Sequence, residues 1–422
     1  MKKCFLYLLS CFVLMPLAAV EPFFTHPLSE RLKTLQVTRA DSDVSYPVIY
    51  LDRSADAIDI RFDFMAAEMH QISYSLIHCD VNWRPSDLSV NEYIDGFQFS
   101  YIEDYDYSRS TNIDYVNYHL QIPNQDVSLK LSGNYAVVLY DEDDEDTLGF
   151  ACFSVVEPEV SISGMVSGLS TRGPSGHNQQ LNFSIDYSHQ TIRQPTLETQ
   201  VLVVQNNDWN TRVLENRPTY VHTDRLVYDQ HPSFAFSGRG EYRHFEASSV
   251  RYASKGVANI SFFSPFYHFT LAPADLRQLT NYEYDNDING RFVVRRQESD
   301  DEDAPTEAEY IVVHFSVPMA EPILDAKVYI GGDFVYNAID ASNQMIYSFE
   351  RKAYECSLLL KQGYYNYRYF VVSNRDGNIA SAPIEMDAYQ TENDYQIYFY
   401  YRAQGERYDR LIGYQVVNSL NY

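Results

Sequence analysis

The chain has 422 residues, enough for two or three domains at roughly 150 residues each. Its 37 Tyr and 24 Phe favour half-buried strands over helices, so the composition leans all-β. The formal net charge of −26 repels nucleic acid and anionic lipid, leaving solubility or attraction to a basic protein surface as its use.

Met1–Val20 reads as a secretory signal. Lys2 and Lys3 precede the apolar run Phe5–Leu17, and Ala18-Ala19-Val20 offers small residues before the polar Glu21. The run is shorter than the roughly 20 apolar residues of a spanning helix. The expectation is a periplasmic protein, cleaved near residue 20, with no membrane insertion of its own. Leu8-Leu9-Ser10-Cys11 has the form of a lipoprotein box. Cleavage there would leave an apolar mature end, which disfavours lipidation at Cys11. Beyond the signal remain Cys79, Cys152 and Cys356, so at most one internal disulfide exists. Plain core cysteines are the favoured reading.

Strand signals then follow in order. Ile58, Ile60, Phe62 and Phe64 alternate with Asp59, Arg61 and Asp63, which predicts a strand with one face in the core and one in water. Ile72, Tyr74 and Leu76 repeat the pattern, as do Val116, Tyr118, Leu120 and Ile122. Tyr135–Tyr140, the acidic turn Asp141–Asp146 and Phe150–Val156 predict a hairpin. A first β-sandwich over 21–157 results. The block 158–275 opens with a polar loop (168–180). Strands over 181–187, 197–205, 219–228, 244–253 and 258–263 predict a second β-sandwich there. The block 276–422 carries strands over 291–296, 310–317, 325–331, 345–351, 354–360, 364–373 and 394–402, a third sandwich. The acidic run 298–309 reads as a long hairpin loop between the first two of these, in preference to a linker. Single helical turns are expected at 85–89 and 273–279. The fold class is therefore all-β, with tandem β-sandwich domains.

Chemistry-bearing motifs are missing. The eleven His form no HxxxH or HExxH, and no CxxC exists, so no metal set is predicted. There is no GxSxG elbow, and GPSG (173–176) lacks the lysine of a phosphate loop. The expectation is a non-enzyme without cofactors. NWRPSDLSVNEYIDGF (82–97) reads equally as an ordered loop across a sandwich end or as a binding loop. Trp83, Arg84, Tyr93 and Phe97 are its partner-interface candidates, being residue types that anchor protein interfaces. Asp146-Thr147-Leu148 matches a weak O-glycosylation signal.

The C-terminal segments alternate most clearly. In 365–371, Tyr365, Tyr367, Tyr369 and Val371 face one way and Asn366, Arg368 and Phe370 the other. Tyr398 and Tyr400 serve either sheet packing or docking, and packing is preferred. The stretch 328–371, with Gly332-Asp333-Phe334 and Gly363-Tyr364-Tyr365-Asn366-Tyr367, resembles the early-set immunoglobulin-like modules of the glycogen-binding type. That family's sugar-stacking tryptophans are missing, and Tyr336 is the substitute stacking face if a glycan binds. Taken in order, NWRPSDLSVNEYIDGF, SGNYAVVLYDEDDED (132–146), FACFSVVE (150–157), TNYEYDNDINGRFVVRR (280–296), LLLKQGYYNYRYFV (358–371), TENDYQIYFYYR (391–402) and RYDRLIGY (407–414) resemble the plug protein family of the type IX secretion system. The resemblance implies an all-β periplasmic protein. It would dock on the periplasmic opening of the large outer-membrane translocon barrel and close the idle channel. The alternative is a periplasmic or surface glycan-binding β-sandwich protein.

Overall fold

Alternating apolar positions assemble residues 21–157 as two facing sheets. In the computed structural model, which describes residues 21–173, 176–300 and 302–420, the architecture is all-β with tandem sandwiches. The expected signal segment and Cys11 lie outside the described residues. One sheet of the first sandwich orders Leu32–Arg39, Ile58–Phe64, Val116–Ile122 and Tyr105–Tyr107. The other orders His26–Pro27, Asp146–Val156, Gly133–Asp141, Ile72–Cys79 and Ser100–Tyr101. Phe62, Tyr118, Val137 and Phe153 meet between them. The hairpin expected around the acidic turn is present, pairing Gly133 with Val155 through to Asp141 with Asp146.

The second sandwich takes strands from distant parts of the chain. One sheet contains Ser161–Ser167, Asn178–Asp186 and Arg225–Tyr228. The facing sheet orders Asp208–Glu215, Thr199–Gln205, Asp394–Tyr401 and Arg410–Asn418. Strand 394–402 thus departs from expectation: it completes the second body, not the third. Its odd residues explain this, because Tyr395, Ile397 and Phe399 enter the core of Leu181, Ile185 and Val203. Conversely, Arg243–Glu246 and Val257–Phe263, expected in the second sandwich, belong to the third. Phe245 stacks on Tyr365 at 5.1 Å there.

In the third body Gln344–Ser348 pairs with both Ala326–Gly331 and Ala353–Lys361, so one sheet folds over on itself around Val313, Phe315, Ile330 and Tyr369. The acidic run is not a hairpin loop. Phe292–Val294 pairs with Gly363–Ser373, whereas Tyr310–Pro318 pairs with Ala353–Lys361, so the run crosses between layers and carries the helical turn Ala304–Glu307. Of the expected helical turns, 85–89 is not helical and the helix follows it at Val90–Tyr93, while Arg277–Leu279 forms within 273–279. No helix among the described residues is long and apolar enough to cross a membrane.

The bodies pack broadly. Asp59 and Asp63, expected in water, are 4% and 0% exposed. The face of their strand that pure alternation assigns to solvent is covered at Asp63 by Tyr310 and Lys361 of the third body. Both faces of Gly363–Ser373 are likewise buried, and Arg368 on its back meets Asp208 of the second. Tyr398 and Tyr400 are buried between the first and second bodies, with Val48, Val81 and Val156, which settles them as packing.

Candidate functional site

The loop after strand Ile72–Cys79 is organised by Asp80. Its Oδ1 accepts from the N–H of Asn82 at 2.8 Å and of Arg84 at 3.0 Å, and its carbonyl accepts from the N–H of Trp83 at 3.0 Å. This carboxylate-capped turn places Trp83 at φ 61°, a left-handed conformation that a bulky residue keeps only when its surroundings hold it. The hold is visible. The indole meets Trp209 of the second body edge-on at 5.3 Å, over Cys79, Ala136 and Cys152. All three described cysteines are free, and burial pushes the Cys79 thiol up to about 12, so it is inert.

Just before the loop, His78 is buried. Its Nε2–H donates to the Ser132 carbonyl at 3.1 Å and its Nδ1 accepts from the Ser86 hydroxyl at 2.9 Å. Burial holds it neutral, down at about 4. Tyr93 is buried beside it and donates to the Leu76 carbonyl at 2.9 Å. Of the four interface candidates, then, Trp83 and Tyr93 face inward as anchors of the loop. A large aromatic at a sandwich end gains more from the core than from water. Arg84 and Phe97 stay exposed. Phe97 follows Gly96, where both the φ of +127° and the 1.9 Å that would separate a Cβ from the Asp126 carbonyl oxygen demand glycine.

A cleft of 1130 Å³ opens where the three bodies meet, lined by Trp83, Arg84, Trp209, Asn210, Tyr336 and Lys361, among others. Tyr336 is no stacking face for sugar. It packs against the first core, and its oxygen accepts from the Leu35 N–H at 3.1 Å. It bolts the third body to the first.

Buried polar networks do the same around the cleft. Lys361 Nζ lies 2.7 Å from Asp63 and 4.2 Å from the Tyr115 ring. Tyr310 donates to the same carboxylate at 2.6 Å, and Asn117 donates to its other oxygen at 2.8 Å. Burial lowers the Lys361 ammonium, against the pull of Asp63. At the second joint Asp208 is held by Arg239 at 2.9 Å and by Arg368. Burial pushes the Asp208 carboxyl up, but the two guanidiniums outweigh it and leave it below the usual range. At the third joint the Val81 N–H donates to Asp409 and the Tyr400 hydroxyl to Asn134, each at 2.9 Å. From sequence, Tyr400 reads as packing and Asp63 and Arg368 only as positions on a strand face; the joints themselves are not legible there. Asp63 sits in a clean amphipathic strand, and nothing local reports that another body covers it.

His70, Asp141 and Asp143 are the described residues placed to share a cation, with His70 Nδ1 3.0 Å from Asp141 and 3.9 Å from Asp143. Arg31 already serves this cluster. Its guanidinium lies 3.2 Å from His70 Nε2 and pairs with Asp144. The arrangement is an ion-pair cluster that pins the acidic turn.

Residues 32–157 match the family model described as the type 9 secretion system plug protein 1st domain. The crystal structure of a hypothetical protein from Parabacteroides merdae ATCC 43184 matches with a TM-score of 0.91 and 39% sequence identity, over 94% of this chain and 99% of that one. The C-terminal domain of the AgI/II polypeptide BspA of Streptococcus agalactiae is 8% identical over 91% of this chain and 98% of that one. Its TM-score of 0.16 carries no argument. No curated protein matches.

Proposed function

The chain belongs to the type IX secretion system plug protein family, and we propose from that premise a non-enzymatic periplasmic role. It docks on the periplasmic opening of the system's large outer-membrane translocon barrel and closes the idle channel. The observation that carries this is the first-domain match over 32–157. The mechanics support it. A plug must hold its shape across a wide opening, and here three bodies are joined by buried ion pairs and by the interface core around Tyr398 and Tyr400. Reversible seating suits an acidic body, because complementary charge speeds and orients docking more than it tightens it. In this role the interior aromatics keep the body rigid, and the exposed Arg84 and Phe97 remain available to a partner.

The test is recovery of the barrel. Affinity-tagged chain drawn from solubilised outer membranes of idle cells brings the barrel with it under this reading. Repeated recovery of the chain without the barrel sinks it.

A second reading is a glycan-binding sandwich protein. It is favoured by the aromatic cleft, where the buried Trp83 Nε1–H has no partner among the described residues. Retention on a glycan array that is lost in Trp209→Ala supports this reading. No retention on any glycan removes it.

A further inference from the structure

The segment 94–107 builds one whole lateral edge of the first sandwich. Ile94–Gly96 pairs with Val127–Leu129, Ser100–Tyr101 ends one sheet, and Tyr105–Tyr107 ends the other. These edges stand at the far end of the strand order from His26–Pro27 and Leu32–Arg39, which line the cleft. Ser100 and Ile102 point inward, and the Ile102 N–H donates to the Ile72 carbonyl at 2.9 Å. Period-two alternation therefore turns Phe99 and Tyr101 outward, and a one-residue slip would expose Ile102 instead. Phe97, Phe99, Tyr101 and Tyr107 are 66%, 65%, 52% and 48% exposed. Single exposed aromatics need no explanation, but a run of them along one edge marks an interaction surface.

Carboxylates interleave with these rings. Asp95, Glu103 and Asp106 are exposed, and among the described residues no Lys, Arg or His forms a salt bridge with them. Asp104 pairs with His119 at 2.7 Å. We propose that this edge, carrying Phe97, Phe99, Tyr101 and Tyr107 among free carboxylates, is the docking face for an arginine- and lysine-rich protein rim. This rests on the plug reading, in which that rim belongs to the barrel.

Charge selects the occupant. Free carboxylates reject phosphate backbones and anionic lipid, whereas guanidinium groups pair with carboxylates and stack on exposed rings. The strands here are two and three residues long, too short to template a further strand, so side chains carry the contact.

The test uses full-length chain and the purified, detergent-solubilised barrel at low and high salt. Replacing all four aromatics by Ser weakens binding about 100-fold, as loss of a hot-spot cluster does. Asp95→Asn with Glu103→Gln and Asp106→Asn slows association about tenfold at low salt and leaves it near wild type at high salt. All seven positions are on the surface, so urea midpoints should match wild type. If the aromatic variant misfolds, the charge variant decides alone. Binding of wild type and both variants alike at low salt overturns the proposed face and leaves the plug reading standing. Failure of the wild type to bind the barrel overturns both.

Discussion

His78 and Glu241 show how single buried groups set opposite trends in stability. His78 is neutral in the fold, at about 4 against an ordinary value of 6.5, because burial penalises its charged form. Between those values the unfolded chain holds a proton that the native state refuses, so this residue makes stability rise with pH from about 4 to 6.5. Glu241 is pushed up to about 7 by burial, against hydrogen bonds from Tyr282 and the Glu392 N–H. Between about 4.5 and 7 the native state keeps a proton that the unfolded chain has lost, so stability falls as pH rises through that window. Urea unfolding of Glu241→Gln should gain on wild type as pH rises from 5 to 6.5, by at most about 1.4 kcal/mol per pH unit. His78→Gln should lose ground over the same range. Curves parallel to wild type would show that neither group titrates as its surroundings require.

At the scale of elements, the C-terminal hairpin carries the clearest lesson. Its alternation was legible, and so was the packing role of Tyr398 and Tyr400. What it packs against was not, because strand periodicity reports a face and not a partner. Tyr395, Ile397 and Phe399 supply the second core, while Tyr398 and Tyr400 on the opposite face seat the first body. The same limit explains Asp63, which looks solvated until a distant strand covers it. It also explains the acidic run, whose flanking strands each find other partners. The hairpin at Asp141–Asp146 was legible because its pairing is local. Within the long loop, sequence identified anchoring residue types but not their direction, and Trp83 and Tyr93 turn inward. Ending the chain at Gln390 should therefore unfold a body far upstream. Amides of Asn178–Asp186 and Thr199–Gln205 are expected to exchange as in an unfolded segment, and undiminished protection there would contradict the pairing.

Over the whole molecule, function turns on whether three bodies behave as one. Asp63 and Lys361 join the first to the third with almost no exposure to water. A buried pair of this kind contributes little against an apolar substitute, but losing one partner strands the other charge. Lys361→Met should cost about 3–5 kcal/mol, and Asp63→Leu with Lys361→Met should recover most of it, read as urea midpoints. An unchanged midpoint in the single variant would mean that the joint does not hold the bodies. Whether this acidic, locked assembly closes a channel can be read from the single-channel conductance of the purified barrel in a planar bilayer. Chain added to the periplasmic side should abolish the open conductance and release it again at high salt. A conductance untouched by a saturating excess of the chain would contradict the account.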